Sequence, residues 1–206
     1  MIANTKTSVS INDALIARCA PDVHPVTINA LIETESGKNP YAVANVSDNE
    51  SRQFKSREEA IKYVNTLDRQ GKNYSAGLMQ INSKNFQSYG LDNNTVFDVC
   101  KNIQIGAKIL TENFERQQGG SDQKKIRNAL SRYYSGNDKR GYVKEFNYDG
   151  KSYVERVEQK AYKVPALLPP DENALEFNSS KDITTVKTET NIIEKTSSWD
   201  VFGDFK

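Results

Sequence analysis

Histidine and cysteine, the usual ligands of structural zinc, are scarce in this chain. Its 206 residues include one histidine, His24, and two cysteines, Cys19 and Cys100. A four-ligand Cys/His zinc site cannot form within one such chain, and a Ser-His-Asp or Cys-His triad would have to use His24. Because His24 precedes Pro25 at an expected helix start, we interpret it as a surface residue near the cap. We therefore expect no metal site and no cofactor.

Long apolar segments are also missing. Hydrophobic residues make up 36% of the chain, and the longest apolar run, at 164–168, is only a few residues long and contains a proline. A membrane span needs about 20 apolar residues, so we expect none. The first residues contain no apolar stretch typical of a signal peptide. We expect either that the protein stays inside the cell or that a signal has been removed.

A strong excess of charge of one sign is absent. The chain has 28 basic and 27 acidic residues, and no basic stripe with a recognisable motif, so we expect no nucleic-acid partner. The charge is unevenly spread, because residues 165–206 hold four lysines and eight acidic residues. The remaining, mildly basic part is compatible with an anionic polymer substrate, although most such charges only solvate a surface.

The two cysteines allow two interpretations. Cys19 and Cys100 can form one disulfide without a leftover thiol, which suits an oxidising compartment and favours export. Two buried free thiols are the alternative.

The body of the chain is predicted to be mainly α-helical. Apolar residues recur at helical spacing, and serine, aspartate, proline and glycine mark the expected helix starts and ends. The predicted helices span residues 10–19, 25–36, 56–69, 83–89, 98–118, 126–135 and 152–162. Residues 38–55 are polar and predict a loop. The strand signal is weak and is confined to a possible hairpin at 142–154, with a turn at Asp149 and Gly150.

A change of composition at Pro165 divides the chain into a body, 1–164, and a tail, 165–206. Prolines there lead into a segment rich in asparagine, serine, threonine, lysine and glutamate, which predicts a flexible tail. Its end carries Trp199, Phe202 and Phe205. We interpret these aromatic residues either as a cluster that folds back on the body or as a docking peptide for a partner protein.

Glu35 is the first candidate for chemistry. It continues the helical face formed by Ile28, Leu31 and Ile32, which is expected to point inward. A carboxylate on an apolar face is costly unless it is paired or protonated. Burial also raises its pKa, as a general acid working near neutral pH requires. Spacing alone leaves a structural and a catalytic role equally open.

Three short motifs resemble those of the soluble lytic transglycosylase family, in the same order. The first is Glu35-Ser36 at a helix end followed by Asn39-Pro40, the second is Gly77-Leu78-Met79-Gln80, and the third is Tyr133-Tyr134-Ser135-Gly136. Further strings at 97–102 and 105–110 resemble the members associated with type IV secretion and conjugation. The resemblance covers roughly residues 10–160. Tyr134 departs from it, because the family usually has asparagine there, and the helix at 56–70 resembles an insertion.

The resemblance implies a fold and a set of site residues. The fold would be a lysozyme-like, goose-type domain that is mainly α, with one small β-hairpin. Glu35 would be the sole acid/base, and Ser36 would fix Glu35 or the substrate by hydrogen bonding. Gln80 and Asn82 would line the sugar groove, with Met79 packing behind or beside them. Tyr133 would form a hydrogen bond near Glu35 and help set its proton affinity.

The implied activity is cleavage of peptidoglycan between N-acetylmuramic acid and N-acetylglucosamine, with a 1,6-anhydromuramic product. A lysozyme-type hydrolase is an alternative, and it would need a second carboxylate such as Asp48 or Glu50. A glycan-binding assembly adaptor without turnover is another. The resemblance also implies a periplasmic location, and secretion or conjugation channel proteins as partners of the tail.

Overall fold

The structure, a computed structural model, describes residues 11–161. The predicted tail, its aromatic residues Trp199, Phe202 and Phe205, and the predicted domain boundary after residue 164 lie outside the described residues.

Six α-helices form just under half of the described residues. They are α1 (Asp13–Cys19), α2 (Pro25–Glu35), α3 (Arg57–Arg69), α4 (Val99–Glu115), α5 (Asp122–Ser135) and α6 (Tyr153–Ala161). Local chemistry fixes several of their ends as the sequence predicts, although α1 begins three residues later and α5 four residues earlier than predicted. The Ser56 hydroxyl accepts from the Glu59 amide at the start of α3, and Gly136 ends α5 in the left-handed conformation. His24 is exposed and caps α2, where its ring nitrogen accepts from the Val26 amide.

The β-structure is a four-stranded antiparallel sheet with the order β2-β1-β3-β4. Its strands are β1 (Ala42–Asn45), β2 (Glu50–Gln53), β3 (Tyr74–Ala76) and β4 (Ile81–Asn82). The first hairpin lies in the segment 38–55 that the sequence predicts as a loop. Each strand has at most four residues, and β2 is exposed throughout. Neither an alternating apolar pattern nor β-branched residues therefore indicate this hairpin in the sequence.

The hairpin predicted at 142–154 is wrong. Residues there form two 3₁₀ turns, Arg140–Tyr142 and Phe146–Tyr148, and only a single bridge joins Glu145 to Lys151. The second half of the predicted hairpin cannot be a strand because α6 begins at Tyr153 and buries Tyr153, Val154 and Val157 on one face. The helix predicted at 83–89 is likewise two short 3₁₀ turns, Ser83–Asn85 and Gln87–Tyr89.

The helices pack around one apolar core. α4 packs against α1 and α5, while α2 packs against α6. The inward face of α2, Ile28, Leu31 and Ile32, is fully buried, as the sequence predicts. Cys19 at the end of α1 and Cys100 at the start of α4 form a disulfide, with their Cα atoms 5.1 Å apart.

No helix among residues 11–161 is long and apolar enough to cross a membrane. The same part of the chain contains no cluster of three or more His, Cys, Asp or Glu side chains that could hold a metal ion.

Candidate active site

Glu35 is the last residue of α2, and its carboxyl group is partly buried among polar groups of α5 and α6. The Tyr153 hydroxyl of α6 donates a hydrogen bond to Glu35 Oε1. Burial raises the pKa of Glu35 to about 7, although the hydrogen bond from Tyr153 and the charges of Arg156 and Lys160 act in the opposite direction. A carboxyl group with this pKa can both donate and accept a proton near neutral pH.

Two cavities of about 220 and about 440 Å³ flank Glu35. They share four lining residues, so they form one groove with Glu35 at the junction: Glu35, Ala44, Gln80 and Tyr134. A polymer lying along the groove would place the bond between two of its units beside the Glu35 carboxyl group.

Among the described residues, Glu35 is the only carboxylate that lines either cavity. Asp48, one of the two nearby acids considered from sequence, accepts from Asn45 and pairs with Lys72. Glu50, the other, pairs with Arg52 at 2.8 Å and accepts from Tyr63. Because neither acid lines either cavity, the described residues supply no second carboxylate opposite Glu35.

The loop between β3 and β4 brings Gln80 into the groove through an uncommon backbone conformation. Gln80 has a φ of +47°, which non-glycine residues rarely adopt, and Gly77 has a φ of +84°. The Gln80 side-chain amide nitrogen donates to the carbonyl oxygens of Ala42 at 3.0 Å and Gly77 at 2.9 Å. These bonds hold the side chain at the junction of the two cavities.

Asn102 of α4 supports the same loop from below. It is 1% exposed, its side-chain oxygen accepts from the Met79 amide at 2.8 Å, and its nitrogen donates to Ala76 and Val96 carbonyl oxygens. A side chain at Gly77 would meet the Asn102 amide at 2.2 Å, so this glycine is required for the close approach. The resemblance includes the string 97–102, but nothing in that string predicts this role of Asn102.

The other predicted groove residues divide into two groups. Asn82 lines the larger cavity, and its side chain bonds to Ser75 and caps the following turn. Met79 is fully buried, so it packs behind the groove. Ser36 is also buried, and its hydroxyl donates to the Ile32 carbonyl oxygen at 3.0 Å. Ser36 therefore ends α2 and lines neither cavity.

Tyr133 lines the larger cavity near Glu35, but its hydroxyl donates to the Met79 carbonyl oxygen at 2.7 Å. Burial and the nearby Glu35 charge raise its pKa well above the ordinary value. The resemblance implies a hydrogen bond of Tyr133 near Glu35, and the bond to Met79 lies there. The hydroxyl that bonds to Glu35 itself is that of Tyr153. Sequence reasoning missed Tyr153, since nothing in a tyrosine at a helix start indicates contact with a residue 118 positions away.

Tyr134 lies where the family usually has asparagine, and it lines both cavities. Its ring stacks on that of Tyr153, with centroids 4.5 Å apart and planes 12° apart. Its hydroxyl donates to Glu145 at 2.5 Å. Tyr134 therefore packs against the residue that holds Glu35.

The family model for the transglycosylase SLT domain matches residues 14–154. The chain is 38% identical over 146 residues to the type IV secretion system protein virB1 of Brucella suis biovar 1, covering 69% of this chain and 60% of that protein. It is 30% identical over 199 residues to protein virB1 of Rhizobium radiobacter, covering 94% and 73% of the two chains. The chain thus spans about 60% of the length of its Brucella relatives.

No solved structure matches the chain significantly. The family match includes Glu35, the Gln80 loop, Tyr133 and Tyr153, which together make up the groove around the buried carboxyl group. The chain belongs to the SLT transglycosylase domain family.

Proposed function

We propose that this protein is a lytic transglycosylase that cleaves peptidoglycan between N-acetylmuramic acid and N-acetylglucosamine. One observation carries the proposal. A single carboxyl group, with a pKa of about 7, lies at the junction of two cavities that contain no second carboxylate among the described residues. The chemistry of this substrate can proceed with one such group.

The first step uses Glu35 as an acid. Because its pKa is about 7, a large fraction of Glu35 keeps its proton at neutral pH. Glu35 gives that proton to the glycosidic oxygen as the bond to the muramic C1 breaks. Positive charge then develops at C1, where the oxygen of the muramic N-acetyl group can stabilise it from within the substrate.

The second step uses the same residue as a base. The Glu35 carboxylate accepts the proton of the muramic C6 hydroxyl, whose oxygen forms a bond to C1. The proton taken up restores the acid, and the product carries a 1,6-anhydro bridge. Between the two steps the carboxylate is stabilised by the Tyr153 hydrogen bond and by the charges of Arg156 and Lys160.

The missing second carboxylate favours this route over hydrolysis. Glycosidases that use water canonically employ two carboxyl groups about 5 to 9 Å apart across the bond. Asp48 and Glu50 are the acids that follow Glu35 most closely in sequence, and both are bonded to other partners and line neither cavity. An attacking hydroxyl supplied by the substrate itself removes the need for a water-activating residue.

The proposed binding residues follow from the groove. Gln80 and Asn82 line it with polar side chains, and the Gln80 amide oxygen accepts no hydrogen bond within residues 11–161. That oxygen is free to accept from a sugar hydroxyl or an N-acetyl N–H. Tyr133 supports Gln80 from the groove wall, because its hydroxyl holds the carbonyl oxygen of the preceding residue.

The test is a digest of purified peptidoglycan followed by mass spectrometry of the products. Wild type and Glu35→Gln are compared with Glu33→Gln, a matched control two residues earlier on α2, where Glu33 pairs with Lys38 at 3.0 Å outside both cavities. We expect anhydromuramic ends from wild type and the control, and none from Glu35→Gln. Reducing ends would show a hydrolase. Binding without products from any variant would show an adaptor.

The biological setting is proposed from the relatives. The Brucella relatives are named type IV secretion system proteins, and a channel crossing the cell wall needs a local opening in peptidoglycan. Since this substrate lies outside the inner membrane, the protein would act in the periplasm, where the Cys19–Cys100 disulfide is also stable.

Residues 165–206, with Trp199, Phe202 and Phe205, would contact other components of the secretion channel. Deletion of residues 190–206 should leave the digestion of isolated peptidoglycan unchanged. It should reduce both channel assembly and the recovery of channel proteins in pull-down experiments. Unchanged assembly and recovery would show that the tail has no such role.

A further inference from the structure

A cluster of charged and aromatic side chains lies directly behind the residue that bonds to Glu35. Glu145, between α5 and α6, accepts from the Tyr134 hydroxyl at 2.5 Å and from the Arg156 guanidinium at 2.8 Å. Arg140 approaches the same carboxylate at 3.9 Å. One carboxylate thus connects α5, the segment that follows it, and α6.

The two partners of Glu145 both touch Tyr153. The Tyr134 ring stacks on the Tyr153 ring, and the Arg156 guanidinium lies 5.5 Å from the centre of that ring. Arg156 also lies 3.7 Å above the ring of Tyr148. Tyr153 is therefore packed on groups that are themselves bonded to Glu145.

The ion pair between Glu145 and Arg156 is largely shielded from water. The side chains of Glu145 and Arg156 are 14% and 15% exposed, whereas the Arg52–Glu50 pair is 49% and 45% exposed. Burying two charges costs free energy, and removing one partner leaves the other uncompensated. Glu145 lines neither cavity of the groove, so the proposed reaction itself does not use it.

We propose that Glu145 is a positioning residue for the acid/base centre, because it holds Tyr134 against Tyr153 and balances the charge of Arg156. Without the carboxylate, the Tyr134 hydroxyl loses its acceptor and the stack can shift. Arg156 also loses its ion-pair partner, and its charge then acts without compensation on Glu35, with which it lines the smaller cavity.

The electrostatic consequence has a definite sign. Four groups from two helices interact electrostatically with Glu35. Tyr153, Arg156 and Lys160 of α6 lower the pKa of Glu35, and the charge of Glu35 raises the pKa of Tyr133 of α5. Of these, only Arg156 is paired with Glu145. Loss of the Glu145 charge strengthens the effect of Arg156 and lowers the pKa of Glu35, whereas loss of the Arg156 charge raises it.

The experiment titrates Glu35 directly, by carbon-13 NMR of protein labelled at the glutamate side-chain carboxyl. The Glu35 signal is the one that disappears in Glu35→Gln. The variants are Glu145→Gln, which keeps an acceptor for the Tyr134 hydroxyl and so removes only the charge, and Arg156→Gln. Glu158→Gln is the control, because Glu158 also lies on α6 in an ion pair, with Arg127 at 2.9 Å, and lines neither cavity.

We expect the Glu35 midpoint to fall by roughly half a unit to one unit in Glu145→Gln, to rise in Arg156→Gln, and to stay in place in Glu158→Gln. An unchanged midpoint in Glu145→Gln, or shifts of the same sign in both variants, would overturn the proposal. If Arg156→Gln does not fold, the direction of the shift in Glu145→Gln decides alone.

The effect on turnover rests on the proposed function. In Glu145→Gln, the alkaline limb of the pH profile for anhydromuramic product formation should shift to lower pH by the same amount as the NMR midpoint. If wild type gives no product while the NMR shifts have the expected signs, the positioning role stands and the proposed activity fails. If wild type forms product while the Glu35 midpoint does not move in Glu145→Gln, the proposed activity stands and the positioning role fails.

Discussion

The Tyr153 hydroxyl donates a hydrogen bond to the Glu35 carboxyl group across 118 positions of sequence. The bond favours the charged form of Glu35, while burial favours the protonated form more strongly. Glu35 is thereby balanced between its two protonation states near neutral pH. The proposed mechanism needs both states in one catalytic cycle.

Replacing Tyr153 by phenylalanine should raise the pKa of Glu35, since it removes an interaction that lowers it. The alkaline limb of the pH–rate profile should move upward by about one unit, because Glu35 must be protonated at the start of each cycle. The measurement is the rate of anhydromuramic product formation as a function of pH.

A suitable control for that variant is Tyr142→Phe. The Tyr142 hydroxyl donates to Asn128 at 2.8 Å and lines neither cavity, so its removal should leave the profile in place. A downward or absent shift in Tyr153→Phe would contradict the role assigned to the hydroxyl.

Glu35→Gln should stabilise the fold at alkaline pH. The folded-state pKa of about 7 lies above the ordinary value of 4.5, so the folded protein binds the proton more tightly than the unfolded chain. The resulting stability is complete below pH 4.5 and is lost as the pH rises through 7. Glutamine carries no charge to bury, so the variant should gain roughly 1 to 3 kcal/mol over wild type above pH 7.

Urea unfolding of wild type and Glu35→Gln at acidic and alkaline pH measures this difference. The gain in the free energy of unfolding of Glu35→Gln over wild type should become smaller towards acidic pH. A gain that does not depend on pH would mean that Glu35 is not held in its protonated form by burial.

Asn102→Ala should destabilise the protein and reduce activity together. It leaves the Met79 amide and the Ala76 and Val96 carbonyl oxygens without their buried partner. The expected cost is roughly 2 to 4 kcal/mol in the free energy of unfolding. Activity should fall as well, because the loop that presents Gln80 loses its support.

Gln104→Ala serves as the control on the same helix, since Gln104 is exposed on α4. Its stability and activity should stay close to wild type. If Asn102→Ala matched Gln104→Ala in chemical denaturation, the buried hydrogen bonds would carry little of the loop's stability.

Opening the Cys19–Cys100 disulfide should lower the free energy of unfolding by roughly 2 to 4 kcal/mol, because the bond closes a long loop in the unfolded chain. Urea unfolding with and without reductant measures the loss. A variant with both cysteines replaced by alanine should show the same loss and no response to reductant. Equal midpoints for oxidised and reduced wild type would contradict the prediction.

Sequence patterns were sufficient for features determined locally. The burial of Ile28, Leu31 and Ile32 and the cap at Ser56 follow from periodicity and capping chemistry within a few residues. The placement of Glu35 on the inward face of α2 follows from the same periodicity. These features needed no knowledge of the tertiary structure.

Features that depend on distant packing were not predictable. The strand Glu50–Gln53 is short and exposed, and it exists because β1 pairs with it. The segment 142–154 has β-type residues, but burial of Tyr153 and Val157 against the core makes its end a helix. The Tyr153–Glu35 and Asn102–Met79 bonds join residues whose separation is fixed only by the complete fold.

The disulfide also divides the active site into two parts. The covalent ring that it closes contains Glu35 and Gln80, whereas Tyr133, Tyr134 and Tyr153 lie on α5 and α6, outside the ring. The groove therefore lies between a part of the chain that the disulfide cross-links and a part, α5 and α6, that it does not. Detachment of α5 and α6 would dismantle the site while the ring kept much of its structure, so native-state hydrogen exchange should show α5 and α6 opening at lower free energy than α2 and α4.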